Sequence, residues 1–300
     1  MFGVEIESIN SIQYEKKRNK RRGFYRRKSI KKIDPKIYKC RNQIKRIKQM
    51  RKLRQININN ILFLDIETAP NWEYFKDVPE NVKKEWIYKF KFRPDAPQKN
   101  EDIFDTQSYE AYFAKLWQKE AGLYPEFSRI ICISFGFMYG DTFRLKSVYQ
   151  DDEAQLLTAF ANVLDSFWDK NKGLILCAHN GKGFDFHFII KRFLLHRMAI
   201  PMVLDIYGLK PWEMVTLMDT LEIWKFGSNS GGGLPSIAMH FGIKTPKDDI
   251  EGSDISKCYH NGEIDRIVIY CEKDVITLCN VFKAMRCEEL LIDGQVQKIT

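Results

Sequence analysis

Two carboxylates, Asp65 and Glu67, close the apolar run Ile61-Leu62-Phe63-Leu64. Side chains alternate along a strand, so residues two apart share a face. Holding two like charges side by side near a core is costly unless a cation neutralises them. Hard carboxylate oxygens suit Mg²⁺ or Mn²⁺ better than a thiophilic metal. Read alone, the pair is equally consistent with a strand end bearing solvated acids.

Two further segments carry acids in suggestive settings. In Ala178-His179-Asn180-Gly181-Lys182-Gly183-Phe184-Asp185 a strand runs into a small-residue turn, and Asp185 opens an amphipathic helix. An acid there is favoured by the helix dipole whatever its function. Asn180 and the glycines suit a turn that lets a nucleic-acid strand approach the backbone, and Lys182 offers a phosphate contact or a solvated turn lysine. His179 and His187 are read as packing histidines. The third segment places Tyr270 and Asp274 four apart on a predicted helix, hence on one face. Asp219, Thr220 and the acidic stretch Asp248-Asp249-Ile250-Glu251 are secondary candidates, Asp219 chiefly for a structural hydrogen bond.

These groups need a scaffold, and the pattern supplies an α/β one. The segment Ile61–Pro70 reads as a buried strand, 130–138 and 142–149 as a hairpin around Tyr139-Gly140-Asp141, and 174–179 as a further strand. A helix follows Asp151-Asp152, with Leu156, Leu157, Phe160, Val163, Leu164 and Phe167 at helical spacing. Others are expected from Phe184 and over Glu263–Arg286, with a strand-like stretch at Leu217–Trp224. Together they predict one mixed sheet flanked by helices. Residues 71–125, rich in Trp, Tyr, Phe and Lys and broken by prolines, read as a helical insertion after the first strand.

Charge divides the 300 residues unevenly, with 20 Lys or Arg against 4 Asp or Glu before residue 61 and 28 against 35 after it. A basic arm over residues 1–59, partly helical over 42–56, would gain affinity for a polyanion through counterion release. The seven cysteines form no C-x-x-C pair and read as reduced thiols. No apolar run reaches the roughly 18 residues of a membrane span. A soluble, cytoplasmic protein without membrane attachment is expected.

Taken together, D-I-E-T at Asp65–Thr68, N-G-K-G-F-D at Asn180–Asp185 and Y-C-E-K-D at Tyr270–Asp274 resemble the three motifs of the DEDD exonucleases. The Y-x₃-D spacing is similar to the DEDDy branch. The sister branch carries a histidine five residues before the last Asp, where this chain has Ile269. The likeness extends over roughly residues 60–286, through Leu217–Gly227 and Pro246–Ile255, and is nearest to stand-alone bacterial exonucleases related to the proofreading domain of family B DNA polymerases.

That resemblance implies an RNase H-like fold with a five-stranded sheet, an exonuclease domain over 60–287 and a tail over 288–300. It also implies two divalent cations, Mg²⁺ or Mn²⁺, on Asp65, Glu67, Asp185 and Asp274. Asp65 would bridge both ions, Glu67 and Asp274 would hold the one that activates water, and Asp185 would support the second. Tyr270 would orient the attacking water, and Thr68, Asn180, Lys182 and Phe184 would contact substrate. The expected substrate is the single-stranded or frayed 3′ end of DNA. An RNA-trimming enzyme of the same fold and a non-catalytic nucleic-acid-binding module stay open as alternatives.

Overall fold

The structure, a computed structural model, describes residues 53–97, 103–170, 173–244, 250–292 and 294–299, with only the backbone of 103–107. The basic arm before residue 53 and the acids Asp248 and Asp249 lie outside the described residues, and residues 53–55 are helical.

Six strands form the sheet: β1 (Ile61–Pro70), β2 (Ser128–Tyr139), β3 (Thr142–Val148), β4 (Ile175–Ala178), β5 (Leu217–Asp219) and β6 (Val296–Lys298). Their order is β5-β4-β1-β2-β3-β6, with β1/β2 and β2/β3 antiparallel and the other pairs parallel. The fold is thus the mixed α/β sheet expected, with one correction. Val296–Lys298, read as tail, adds a sixth strand on β3, where Lys298 forms an ion pair with buried Glu272.

Helices cover both faces. Leu62, Leu64 and Ile66 of β1 pack against α3 (Glu153–Lys170) and α4 (Asp185–Leu195), through residues such as Leu156, Phe160, Ile189 and Phe193. Ile61 and Phe63 point the other way, against α6 (Leu234–His240) and the long α8 (Ile264–Met285). Burial on both faces explains why β1 reads as an unbroken apolar run. Each such side chain contributes about 1.5–3 kcal/mol of burial free energy.

Gly136 makes a close stacking possible on the α8 side. A Cβ there would lie 2.2 Å from Cζ of Phe143, whose ring instead crosses the strand toward Phe63, which in turn meets Phe282 of α8 edge-on at 5.6 Å.

The β1/β2 ladder shifts by one residue beside the acids. Glu67 pairs with Cys132 but Thr68 with Ile130, so Ile131 is extra on β2. Ile131 and Cys132 consequently both join the apolar cluster formed with Ala69, α7 (Ile255–His260) and the first turns of α8. Beyond Ile133 the outer edge of β2 has no β3 partner. There the Ile130 N–H donates to Glu153 Oε1 at 2.8 Å. Glu153 is buried, yet Arg192 and His196 both pair with it. Burial would raise its pKa, but the Arg192 hydrogen bonds and charge, aided by His196, more than offset this and hold it below the usual carboxylate range.

The insertion is helical, as expected. It comprises α1 (Glu80–Phe90) and α2 (Ile103–Glu120), built around Trp86, Phe113 and Trp117. Its indoles donate to backbone carbonyls of Phe113 and Trp72 at 3.2 and 3.0 Å, which satisfies their buried N–H groups.

The stretch 217–224 differs from the strand expected throughout. Its strand stops at Asp219, whose carboxylate accepts from the Leu221 and Glu222 amides and starts α5 (Thr220–Lys225). Capping of this kind overrides the β-formers that follow. Among the described residues no helix is long and apolar enough to cross a membrane.

Candidate active site

Asp65 and Glu67 continue the Ile61/Phe63 face of β1 and therefore meet α8. Tyr270, Cys271 and Asp274 lie on the part of α8 that crosses this strand end. One ligand atom each from Asp65, Glu67 and Cys271 fall within 4.8 Å of one another. The Cys271 thiol lies 3.4 Å from both the backbone carbonyl and Oδ2 of Asp65, to which it donates. Burial and the neighbouring Cys132, Asp65 and Glu67 push that thiol well above its ordinary pKa, so it stays protonated and acts as a donor.

Asp185, the first residue of α4, is 4% exposed. Burial pushes its pKa up to about 7, despite the N–H donors of Ile66 and of Asp185 itself, and Asp219 adds repulsion. The Asp65 carboxyl is raised well above its usual range by burial, then by Asp185, Glu67 and Asp274, with Cys271 opposing. Glu67 is raised by burial and then by Asp274, Cys132 and Asp185. The four acids from three separate sequence segments thus sense one another. Among the described residues Asp65, Glu67 and Asp185 form no ion pair.

Such a group is unfavourable as bare anions and fits a divalent cation, because Asp65, Glu67 and Asp185 bring clustered carboxylate oxygens without an ion-pair partner among the described residues. The donor chemistry therefore agrees with the metal expected from sequence.

The remaining candidates have structural bonds of their own. Asn180 adopts φ 61°, and its N–H and that of Lys182 donate to the two oxygens of Asp219 at 2.9 and 3.1 Å. Asp219 thereby clamps the turn ahead of Asp185 as well as capping α5. Gly181 is required in this turn, since a Cβ would lie 2.5 Å from that of Ala178. Lys182 Nζ pairs with Glu222 at 2.7 Å, Thr68 Oγ1 donates to the Gly122 carbonyl at 2.7 Å, and Phe184 packs its ring on Phe188. His179 is spent between Thr220 and the Gly232 carbonyl, at 2.9 Å each, and His187 is exposed on α4. Sequence reading missed Cys271. Its adjacency to Tyr270 was visible, but its contact with Asp65 depends on how α8 sits on β1.

The chain is similar to known proteins over part of its length. A DNA polymerase of red sea bream iridovirus is 32% identical over 151 residues, covering 43% of this chain and 15% of that protein. The chain thus corresponds to a small part of that polymerase. The family B DNA polymerase from the hyperthermophilic archaeon Pyrobaculum calidifontis superposes with a TM-score of 0.42 at 11% identity, covering 75% of this chain and 27% of that one. Residues 120–286, which include β2, the Asn180–Asp185 turn and Tyr270–Asp274, match the RNase_H superfamily model, and the chain belongs to that superfamily.

Proposed function

We propose that this chain is a metal-dependent 3′→5′ exonuclease of the DEDDy type, acting on DNA ends and releasing 5′-nucleoside monophosphates. The observation that carries this reading is the set of mutually repelling carboxylates Asp65, Glu67 and Asp185, half-buried or buried and without an ion-pair partner among the described residues, with Asp274 near enough to raise the pKa of Asp65 and Glu67. Family membership supports a nuclease-type hydrolase. Two Mg²⁺ or Mn²⁺ ions bound there would supply Lewis-acid charge for phosphodiester hydrolysis.

The chain's own groups have separable roles in this reading. Asp65, at the centre of the cluster, would be the principal ligand of the metals, with Glu67, Asp274 and Asp185 helping to hold them. Cys271 holds Asp65 by hydrogen bonding and keeps its carboxylate aimed. Tyr270 orients the attacking water, because a phenol with a pKa near 10 is a poor general base at neutral pH. Asn180, Lys182, Phe184 and Thr68 surround the approach to the scissile bond, and Lys182 reaches phosphate only by leaving Glu222. The basic arm over residues 1–59 adds non-specific affinity for the same polyanion.

The test is incubation of matched 5′-labelled DNA and RNA single strands with and without Mg²⁺ or Mn²⁺. A metal-dependent ladder shortening from the 3′ end of DNA is expected. A ladder on RNA alone moves the enzyme to RNA trimming, and binding without cleavage makes it a nucleic-acid-binding module.

A further inference from the structure

The hairpin end of the sheet carries a second feature that the carboxylate site does not use. A cavity of about 730 Å³ opens between the β2/β3 hairpin and the C-terminal half of α3. The sheet register creates its lining: Phe135 pairs with Lys146 and Phe137 with Arg144, so rings and cations stand on one face, opposite Val163, Phe167 and Lys170 of α3. It also reaches Ile61, at the start of β1 and hence at the opposite end of that strand from Glu67.

Its charge is one-sided. Among the described residues Arg144, Lys146 and Lys170 line it and no Asp or Glu does, although acids outnumber bases 35 to 28 over residues 61–300. Among the described residues none of these three cations has an ion-pair partner. The Nε of Arg144 is moreover buried with no hydrogen-bond acceptor, an arrangement that is costly unless a ligand completes it.

We propose that this cavity is a docking site for an acidic segment of a partner protein, with a bulky apolar side chain seated among Phe137, Val163 and Phe167 and carboxylates on the three cations. The cations stand on opposite walls, on β3 and on α3, so they match a run of acids better than a single anion. A nucleic-acid strand fits less well. The Phe137 and Phe167 rings already meet edge to face at 4.7 Å, and one face of Tyr139 is covered by the Arg144 guanidinium at 3.9 Å, which reduces the ring surface offered for base stacking. The basic stretch before residue 61 has the wrong sign to fill the cavity.

The experiment measures fluorescence anisotropy of a labelled peptide, a run of aspartates beside a Leu-Phe pair, titrated with the full chain. Saturable binding is expected, lost when Leu-Phe becomes Ala-Ala or the aspartates become lysines. Lys146→Glu with Lys170→Glu should weaken it by roughly tenfold or more, as expected for reversing charges around a docking site. Ser166→Trp, an exposed position that would fill the cavity, should do the same with melting temperature unchanged. Neither change should affect cleavage of a short oligonucleotide. Peptide binding indifferent to both variants overturns the proposal. So does loss of oligonucleotide binding in the double variant, which would make the cavity a nucleic-acid track.

Discussion

Two groups of acids, half-buried or buried, lie at the same sheet and the helices on it, and they are treated in opposite ways. Glu153 has Arg192, His196 and the Ile130 N–H around it, and its pKa is held down. Asp65, Glu67 and Asp185 have one thiol and a few backbone donors, and their pKa values are driven up. Burial is the largest influence on both groups, so the difference lies in whether the fold provides a cation. Where an acid serves architecture, the partner is built in. In the proposed function, the partner of the second group is a metal left to be bound.

The sharpest break of this contrast comes from removing one member of each group. Asp65→Ala should reduce nuclease activity to background at any metal concentration while leaving the fold intact, read by a gel assay beside a melting curve. Arg192→Ala should do the converse. It strands buried Glu153 and should cost about 3–5 kcal/mol of stability, the usual penalty for breaking a buried pair, measured by urea unfolding. Activity below the new melting temperature should survive. If Arg192→Ala melts like the wild type, Glu153 is not the structural counterpart assumed here.

Tyr270→Phe sharpens the comparison within the active site. It keeps every carboxylate and deletes one hydroxyl, so metal-induced stabilisation should persist while kcat falls roughly 10²–10³-fold, by analogy with loss of one positioned hydrogen bond. Loss of metal binding in this variant would merge the two roles.

The smallest expected effect, a few degrees in melting temperature, separates the groups by pH. Asp65, Glu67 and Asp185 bind protons more tightly folded than unfolded. In metal-free protein their contribution is therefore greatest below the ordinary carboxylate range and is lost as pH rises toward about 7, the value reached by Asp185. Glu153 has the opposite sign, contributing above the carboxylate range and losing that contribution as pH falls through its lowered pKa. Thermal melts from about pH 5 to pH 7.5 should fall with pH in chelator and lose that slope in millimolar Mn²⁺, which binds the native state. Asp185→Asn should flatten the metal-free slope. A flat wild-type profile in chelator would show that these acids titrate normally.

What the sequence made legible was local. The two-residue spacing placed Asp65 and Glu67 on one face, and the four-residue spacing placed Tyr270 and Asp274 together, because strand and helix periods act over a few residues. The expected strand over Leu217–Trp224 rests on Thr220, Ile223 and Trp224 as strand formers, whereas the outcome turned on one capping carboxylate at Asp219. Val296–Lys298 carries two polar residues in a three-residue edge strand, and its anchor is Glu272, far away in sequence. The Lys182–Glu222, Thr68–Gly122 and Cys271–Asp65 contacts are likewise tertiary, and no spacing rule encodes them.

The extra residue at Ile131 ties the two acid groups to the length of β2. Ahead of it in the chain, Ile130 offers its amide to Glu153; after it, Cys132 stands opposite Glu67. Removing one residue here would leave every nearby side chain chemically acceptable yet put the two ends of the strand out of step. Conservative replacements along β2 can be absorbed by repacking, but an indel cannot be passed to a loop without moving one acid group relative to the other. In a population of variants, this strand should therefore tolerate spelling changes far better than changes in letter count.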